Sequence, residues 1–319
     1  MEAAASPFLP DSNIQFVWDS TSLGWFKDCP RKYKYHMIDG WVGRGQSIHL
    51  TFGIHYHSAL ESYDKARAEG ADHEEALRQA VSRALKDSFG WESDHTSKNR
   101  DNLLRSVVWY CEQFKDDPAK TVVLANGKAA VELSFKMELE FGPEAGKELW
   151  LDPADGKDYE KQTPYILSGH IDRLAEMDGG IYVTDRKTTG STLYAGYFDQ
   201  YTPHNQMSLY SLAAKVIFET PVKGVLIDAV QIAVGFSRFS RGFAYRTDSQ
   251  LEEWMVDLKA TLAYAESCAT AGYWPHNDMS CNKFGGCEFR GVCSKSPEVR
   301  EIFLESDFEK KHWNPLQVR

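Results

Sequence analysis

YILSGHIDRLAEMDGGIYVTDRKTTG, residues 165–190, is two runs of strand-forming residues on either side of Asp178-Gly179. That dipeptide is a strong signal for a two-residue type I′ hairpin loop. If those two residues form the loop, Met177 faces Gly180, Asp172 faces Asp185 and His170 faces Lys187. Directly opposed residues share a sheet face, with Cβ atoms ~4.5–5.5 Å apart. The second strand begins apolar, at Ile181 and Val183, and then places Asp185 and Lys187 on that same face. Two carboxylates so close repel unless a proton or a cation lies between them, and a divalent metal satisfies both. A three-residue loop that included Gly180 would slip the register by one and turn one acid away. The alternative reading is a solvated hairpin end with incidental charges.

The surrounding chain supplies a sheet and helices to hold this hairpin. In VELSFKMELEF, Val131, Leu133, Phe135, Met137, Leu139 and Phe141 face one way, which predicts a half-buried strand. By the same alternation Glu132 falls on the polar face with Ser134, Lys136 and Glu138, and a solvated position is expected for it. Residues 142–163 form a polar insertion, read as a loop or loose hairpin. Helical periodicity runs from about Thr51 to Lys86 and from Lys98 to Lys115, and again in HNQMSLYSLAAKVIFE. Further strands are expected in GVLIDAVQIAV and near Gly242–Tyr245. Ser249 with Glu252 has the form of a capping box opening a long helix that ends near Gly272. There is no internal repeat or low-complexity tract. The expectation is one α/β domain over residues 1–319, a mixed central sheet flanked by helices. Its parts are a cysteine-bearing segment at about 22–50, a helical region and first strand at 51–165, a core at 166–272, a second cysteine segment at 273–300 and a tail at 301–319.

The chain has 319 residues and a net charge of −10. That acidity argues against a generic nucleic-acid coat protein, though not against an enzyme with a local basic track. No signal-peptide pattern opens the sequence and no apolar run reaches membrane-spanning length, so a soluble cytoplasmic protein without membrane contact is expected. Six cysteines without an export signal suggest metal ligands or buried thiols before disulfides. Cys111 and Cys268 fall within helical patterns and read as small buried hydrophobes.

GHIDR (169–173), DRK (185–187) and QMSLY (206–210) together resemble the PD-(D/E)XK nuclease superfamily, from about Ser22 to Ser294. More narrowly they resemble its RecB-type branch, which includes CRISPR-associated spacer-trimming exonucleases. The resemblance implies a restriction-endonuclease-like core. It assigns Asp172, Asp185 and Lys187 to catalysis, with Mg²⁺ or Mn²⁺ held by Asp172, Asp185, a helix histidine and the main-chain carbonyl of Arg186. In GIHYHSALE the histidine is His57 by its spacing to Leu60-Glu61, or His55 by distance from Gly53. Gln206 and Tyr210, four apart on one helix face, would contact nucleic acid or the active site; the alternative is a polar helix flank with a core-edge tyrosine.

Cys29, Cys281, Cys287 and Cys293 match the layout of branch members with an iron–sulfur cluster: one early cysteine before CPRKYKY, three late ones. The resemblance implies a 4Fe–4S cluster joining the N- and C-terminal segments. Both late gaps are five residues here, where the family has C-x2-C-x5-C, so a tetrahedral zinc stays open. Arg31, Lys32 and Lys34, interleaved with Tyr33 and Tyr35, read either as phosphate and base contacts, joined by Lys283 and Arg290, or as a solvated basic turn. The implied function is a metal-dependent DNA exonuclease for recombination or DNA-end processing, bacterial or phage-encoded. It would act on single- or double-stranded ends, with room for a recombination or integration partner and for a homo-oligomer. Two alternatives are a non-catalytic DNA-end-binding module of the same fold and an RNA-processing nuclease with structural zinc.

Overall fold

The Asp178-Gly179 loop forms with φ of 49° and 67°, the left-handed pair that a type I′ turn requires. A computed structural model of the chain describes residues 6–45, 47–151, 158–218 and 221–317. Met177 pairs with Gly180 and the ladder continues to Arg173 opposite Thr184, the register expected from the two-residue loop. The strands are Ile166–Met177 and Gly180–Thr189.

The chain divides into two compact units, each built from separated segments. The unit made of Gln46–Ser134 and His170–Asp248 holds the hairpin. There Gly180–Thr189 pairs in parallel with Val222–Ile232, a strand buried from Gly224 onward, and Ser237–Ala244 adds antiparallel to it. Lys120–Thr121 pairs with the outer side of Ile166–Met177. Helices Ile48–Ala68, His73–Asp87 and Arg100–Gln113 cover one face. Phe52, Tyr56, Leu60, Leu103 and Val107 pack there with Val230 and Ile232 in one core. The helix Asn205–Ile217 packs on Gly180–Thr189 and Val222–Ile232. The result is a mixed α/β fold with a mixed central sheet flanked by helices.

The other unit comprises Met1–Gly45, Phe135–Gly169 and Ser249–Arg319. In it Val17–Trp18 pairs in parallel with Ile166–Leu167, and Trp41–Gly43 pairs with Phe308–Lys310. Tyr35, Trp41, Phe289, Val292, Leu304 and Phe308 form a core against which Cys287 and Cys293 pack. Tyr33 stacks on Trp18 at 5.4 Å.

Several boundaries differ from expectation. The Thr51–Lys86 pattern is two helices, broken at Gly70, whose φ of 95° no helix accommodates. The long C-terminal helix, Asp248–Ala271, starts one residue early, so Ser249 lies inside it and is not its cap. The polar insertion, read as a loop or loose hairpin, contains a hairpin of Lys147–Leu151 with Asp158–Gln162; residues 152–157 of it lie outside the described residues. No helix among the described residues is long and apolar enough to cross a membrane.

Candidate active site

The hairpin ladder stops at Arg173–Thr184, one pair short of the two acids. There the main-chain N–H of Arg186 donates to Asp172 Oδ2 at 2.7 Å, so a carboxylate takes the place of a ladder carbonyl. His57 Nδ1, from the Ile48–Ala68 helix, stands 3.5 Å from the same oxygen. Glu132 completes the group: one ligand atom each from His57, Glu132 and Asp172 all lie within 4.8 Å of one another. Among the described residues this is the group with the spacing of a single metal site.

Glu132 was expected in solvent. Its φ of 52° breaks the alternation on which that expectation rests, because a left-handed residue within a strand redirects the side chains around it. Such a backbone is uncommon for a residue with a Cβ, and strain of this kind gathers at functional positions.

Asp185 and Lys187 lie alongside. Lys187 Nζ is 2.8 Å from Asp185 Oδ2 and donates to Gln206 Oε1 at 2.9 Å. Gln206 Nε2 in turn donates to Tyr210 Oη at 3.0 Å. Position within the buried sheet fixes these groups, since Asp185 registers with Ile227 and Lys187 with Ala229. Burial opposes ionisation of Asp172, yet His57, the Arg186 N–H and Lys187 together hold its carboxyl well below the usual range. Burial pushes the Asp185 carboxyl up; Lys187 works against that rise and the Asp172 charge adds to it. Burial also disfavours the Lys187 ammonium, but Asp185 and Asp172 outweigh it and raise its pKa.

Residues next to the two acids point to the opposite face. Arg173 Nη1 donates to Asp64 Oδ1 at 3.3 Å and Arg186 Nη2 to Asp64 Oδ2 at 2.5 Å. Behind them Arg241 donates to Asp117 at 2.6 and 2.8 Å and to Asp228 at 3.1 Å, and Tyr110 also donates to Asp228. This buried alternation of charges ties the helices to the strands that carry the site.

His57 is thus at the group and His55 is not: the His55 ring packs edge-on to Trp91 at 5.4 Å. Asp185 stands outside the metal-spaced triplet, and Arg186 enters through its N–H. Gln206 reaches the site directly, whereas Tyr210 is buried behind it.

In the other unit Lys32 pairs with Asp28 at 3.1 Å and Lys34 with Asp39 at 2.6 Å, while Arg31 Nε donates to the Trp274 carbonyl at 3.0 Å. Tyr33 and Tyr35 are buried, which corrects their reading as base-stacking rings. Lys283 joins Lys32 on Asp28 and Arg290 donates to Asn282.

Cys29, Cys281, Cys287 and Cys293 line one cavity in that unit. The Asn277 N–H donates to Cys29 Sγ at 3.3 Å. No three of these thiols converge within 4.8 Å, so the spacing of a single tetrathiolate ion is absent among the described residues.

The family profile described as PD-(D/E)XK nuclease superfamily matches residues 20–294. The chain belongs to that superfamily. Its Asp172, Asp185 and Lys187 stand where the fold brings the hairpin's charged end together with the helix histidine. Members of this nuclease superfamily use divalent metals, and the donor set here fits one. Two carboxylates suit Mg²⁺ and Mn²⁺, and the imidazole leans the set toward a transition ion. No curated protein matches the sequence. Among solved structures, a protein of Eubacterium rectale provisionally named an exonuclease is 11% identical with a TM-score of 0.49, over 90% of this chain and 92% of that one. The structure of SSO0001 is 12% identical with a TM-score of 0.35, over 88% and 87%. Likeness at this level assigns no activity.

Proposed function

We propose that this nuclease is a Mg²⁺- or Mn²⁺-dependent DNA exonuclease of the RecB-type branch, a single catalytic domain serving recombination or end processing. The observation that carries the reading is the convergence of His57, Glu132 and Asp172 beside the Lys187–Asp185 pair. A bound divalent ion supplies phosphate charge neutralisation and a more acidic water. The chain's own groups do the rest. Asp172 stays ionised because His57, Lys187 and the Arg186 N–H favour its charged form. Lys187, as an ammonium, stabilises charge developing on the phosphate and orients the attacking water. Gln206 fixes where that ammonium points. Asp185 balances the Lys187 charge and would offer the ion a further carboxylate beside the triplet.

The same reading makes Cys29, Cys281, Cys287 and Cys293 the ligands of a 4Fe–4S cluster. Support comes from their shared cavity and from main-chain N–H groups directed at Cys29 and Cys287. A polynuclear cluster also holds its thiolates farther apart than one ion does. Anaerobic purification should give brown protein with absorption near ~400 nm and iron in excess of zinc; colourless protein with one zinc per chain would overturn the cluster.

The test of activity is digestion of end-labelled linear DNA, closed circular DNA and RNA with Mg²⁺, Mn²⁺ or EDTA. Linear DNA should lose its label only with metal, and Asp172→Ala or Lys187→Ala should lower the rate by about a hundredfold or more. Binding of ends without cleavage by the parent protein would instead identify a non-catalytic module.

A further inference from the structure

A cavity of about 250 Å³ lies in the unit that holds the candidate active site. None of His57, Glu132, Asp172, Asp185 or Lys187 lines it. Asp64, which does, lies seven residues beyond His57 on the same helix, a rise of ~10 Å. Four charged groups of its lining are cationic (Arg67, Lys115, Lys120 and Arg173), and two are anionic (Asp64 and Asp117). Both acids are already engaged: Asp64 by Arg173 and Arg186, Asp117 by Arg241.

Arg173 is the informative member. It is 3% exposed, and its Nε and Nη2 find no hydrogen-bond acceptor among the described residues. Nη2 comes to 3.6 Å from Asp117 Oδ2, near enough for charge attraction and too far for a hydrogen bond. Buried guanidinium donors left without acceptors are costly, and an anionic acceptor in the cavity would offset that cost. Lys115 and Lys120 are exposed where they meet the cavity, and Tyr63, Phe114 and Val123 give it an apolar wall.

The geometry points to a binding site for a small phosphomonoester, its phosphate held by Arg173 and the two lysines and its uncharged part against the apolar wall. A dianion balances the lining's surplus of two positive charges. At about 250 Å³ the cavity lies at the lower edge of the ~300–1,000 Å³ of drug-sized ligand pockets, which leaves room for one small phosphomonoester and not for a polymer. The assignment stands independently of the nuclease reading, because no group of the catalytic edge takes part in it.

The experiment is isothermal titration calorimetry of the intact chain in EDTA, with 2′-deoxyadenosine 5′-monophosphate, inorganic phosphate and deoxyadenosine as ligands. The nucleotide should saturate one site per chain, phosphate should bind more weakly, and deoxyadenosine should not bind. Lys115→Glu combined with Lys120→Glu should weaken nucleotide binding by about tenfold or more, with circular dichroism unchanged. No saturable binding at millimolar nucleotide would overturn the proposal. So would equal affinity for phosphate and nucleotide, or binding that withstands the lysine pair and is lost in Lys187→Ala, which would put the ligand at the catalytic edge.

Discussion

Glu132 carries two properties that substitution can separate. Its φ of 52° is left-handed, and its carboxylate belongs to the group shared with His57 and Asp172. An L-residue in that conformation costs ~1–2 kcal/mol relative to ordinary backbone, and glycine escapes most of the cost. Glycine's own chain entropy, ~0.5–1 kcal/mol, offsets part of that relief, so Glu132→Gly should stabilise the metal-free protein by up to ~1 kcal/mol while removing a ligand. Glu132→Gln keeps the strained backbone and the side-chain length and removes only the charge, so it should lose metal affinity without that gain. In both variants Mn²⁺ affinity should fall by about tenfold or more, ~1.4 kcal/mol. Urea unfolding in EDTA reads the stability term, and calorimetric Mn²⁺ titration reads the ligand term. If Glu132→Gly were destabilised by more than ~1 kcal/mol and still bound Mn²⁺ as the parent does, the residue would be structural and the reasoning wrong.

Other outcomes follow from the buried charges. Lys98 is 1% exposed and lies 4.3 Å over the Phe52 ring, and burial lowers its pKa from 10.5 to about 8. Below pH 8 the amine is charged in both folded and unfolded chains, and the full penalty of ~3 kcal/mol is present; it is relieved as pH rises from about 8 to 10.5. Lys98→Met should stabilise the protein by ~1–3 kcal/mol at pH 7 and by much less near pH 10.5, read from urea melts; an equal difference at both values would refute the burial argument. Asp64→Ala leaves Arg173 and Arg186 without their shared acid and should cost ~3–5 kcal/mol; a loss under ~1 kcal/mol would show that the pair relaxes freely. A Cβ built on Gly53 would meet Thr188 Oγ1 at 3.6 Å, an ordinary contact. Gly53→Ala should therefore gain up to ~1 kcal/mol through helix propensity, and a thermal melt showing destabilisation would mean that the helix sits closer to the sheet.

The hairpin was legible because a two-residue turn sets its own register, which holds from Met177–Gly180 to Arg173–Thr184; beyond that the Asp172 side chain takes the Arg186 N–H, so the expected Asp172–Asp185 and His170–Lys187 pairs are not part of the ladder. Lys187, Gln206 and a helix histidine were singled out by the resemblance that GHIDR, DRK and QMSLY carry, and the fold brings Lys187 to Gln206 and His57 to Asp172. Glu132 was not, because one left-handed residue overrides alternation and nothing in VELSFKMELEF signals it. The Asp64–Arg173–Arg186 and Asp117–Arg241–Asp228 network left a partial trace: Asp228 interrupts the otherwise apolar GVLIDAV, an acid that must be paired if the strand is central. Its partners come from elements far apart in sequence, and no local pattern names them. Tyr33 and Tyr35 misled because alternating basic and aromatic residues look the same on a binding surface and on a helical turn whose rings face the core.

The most direct test is the anomalous scattering of crystals soaked in Mn²⁺. A single strong peak bounded by His57, Glu132 and Asp172, absent in Asp172→Ala, is the expected result. A peak elsewhere, or none at this triplet while the enzyme cleaves DNA in Mn²⁺, would contradict the assignment of the metal site.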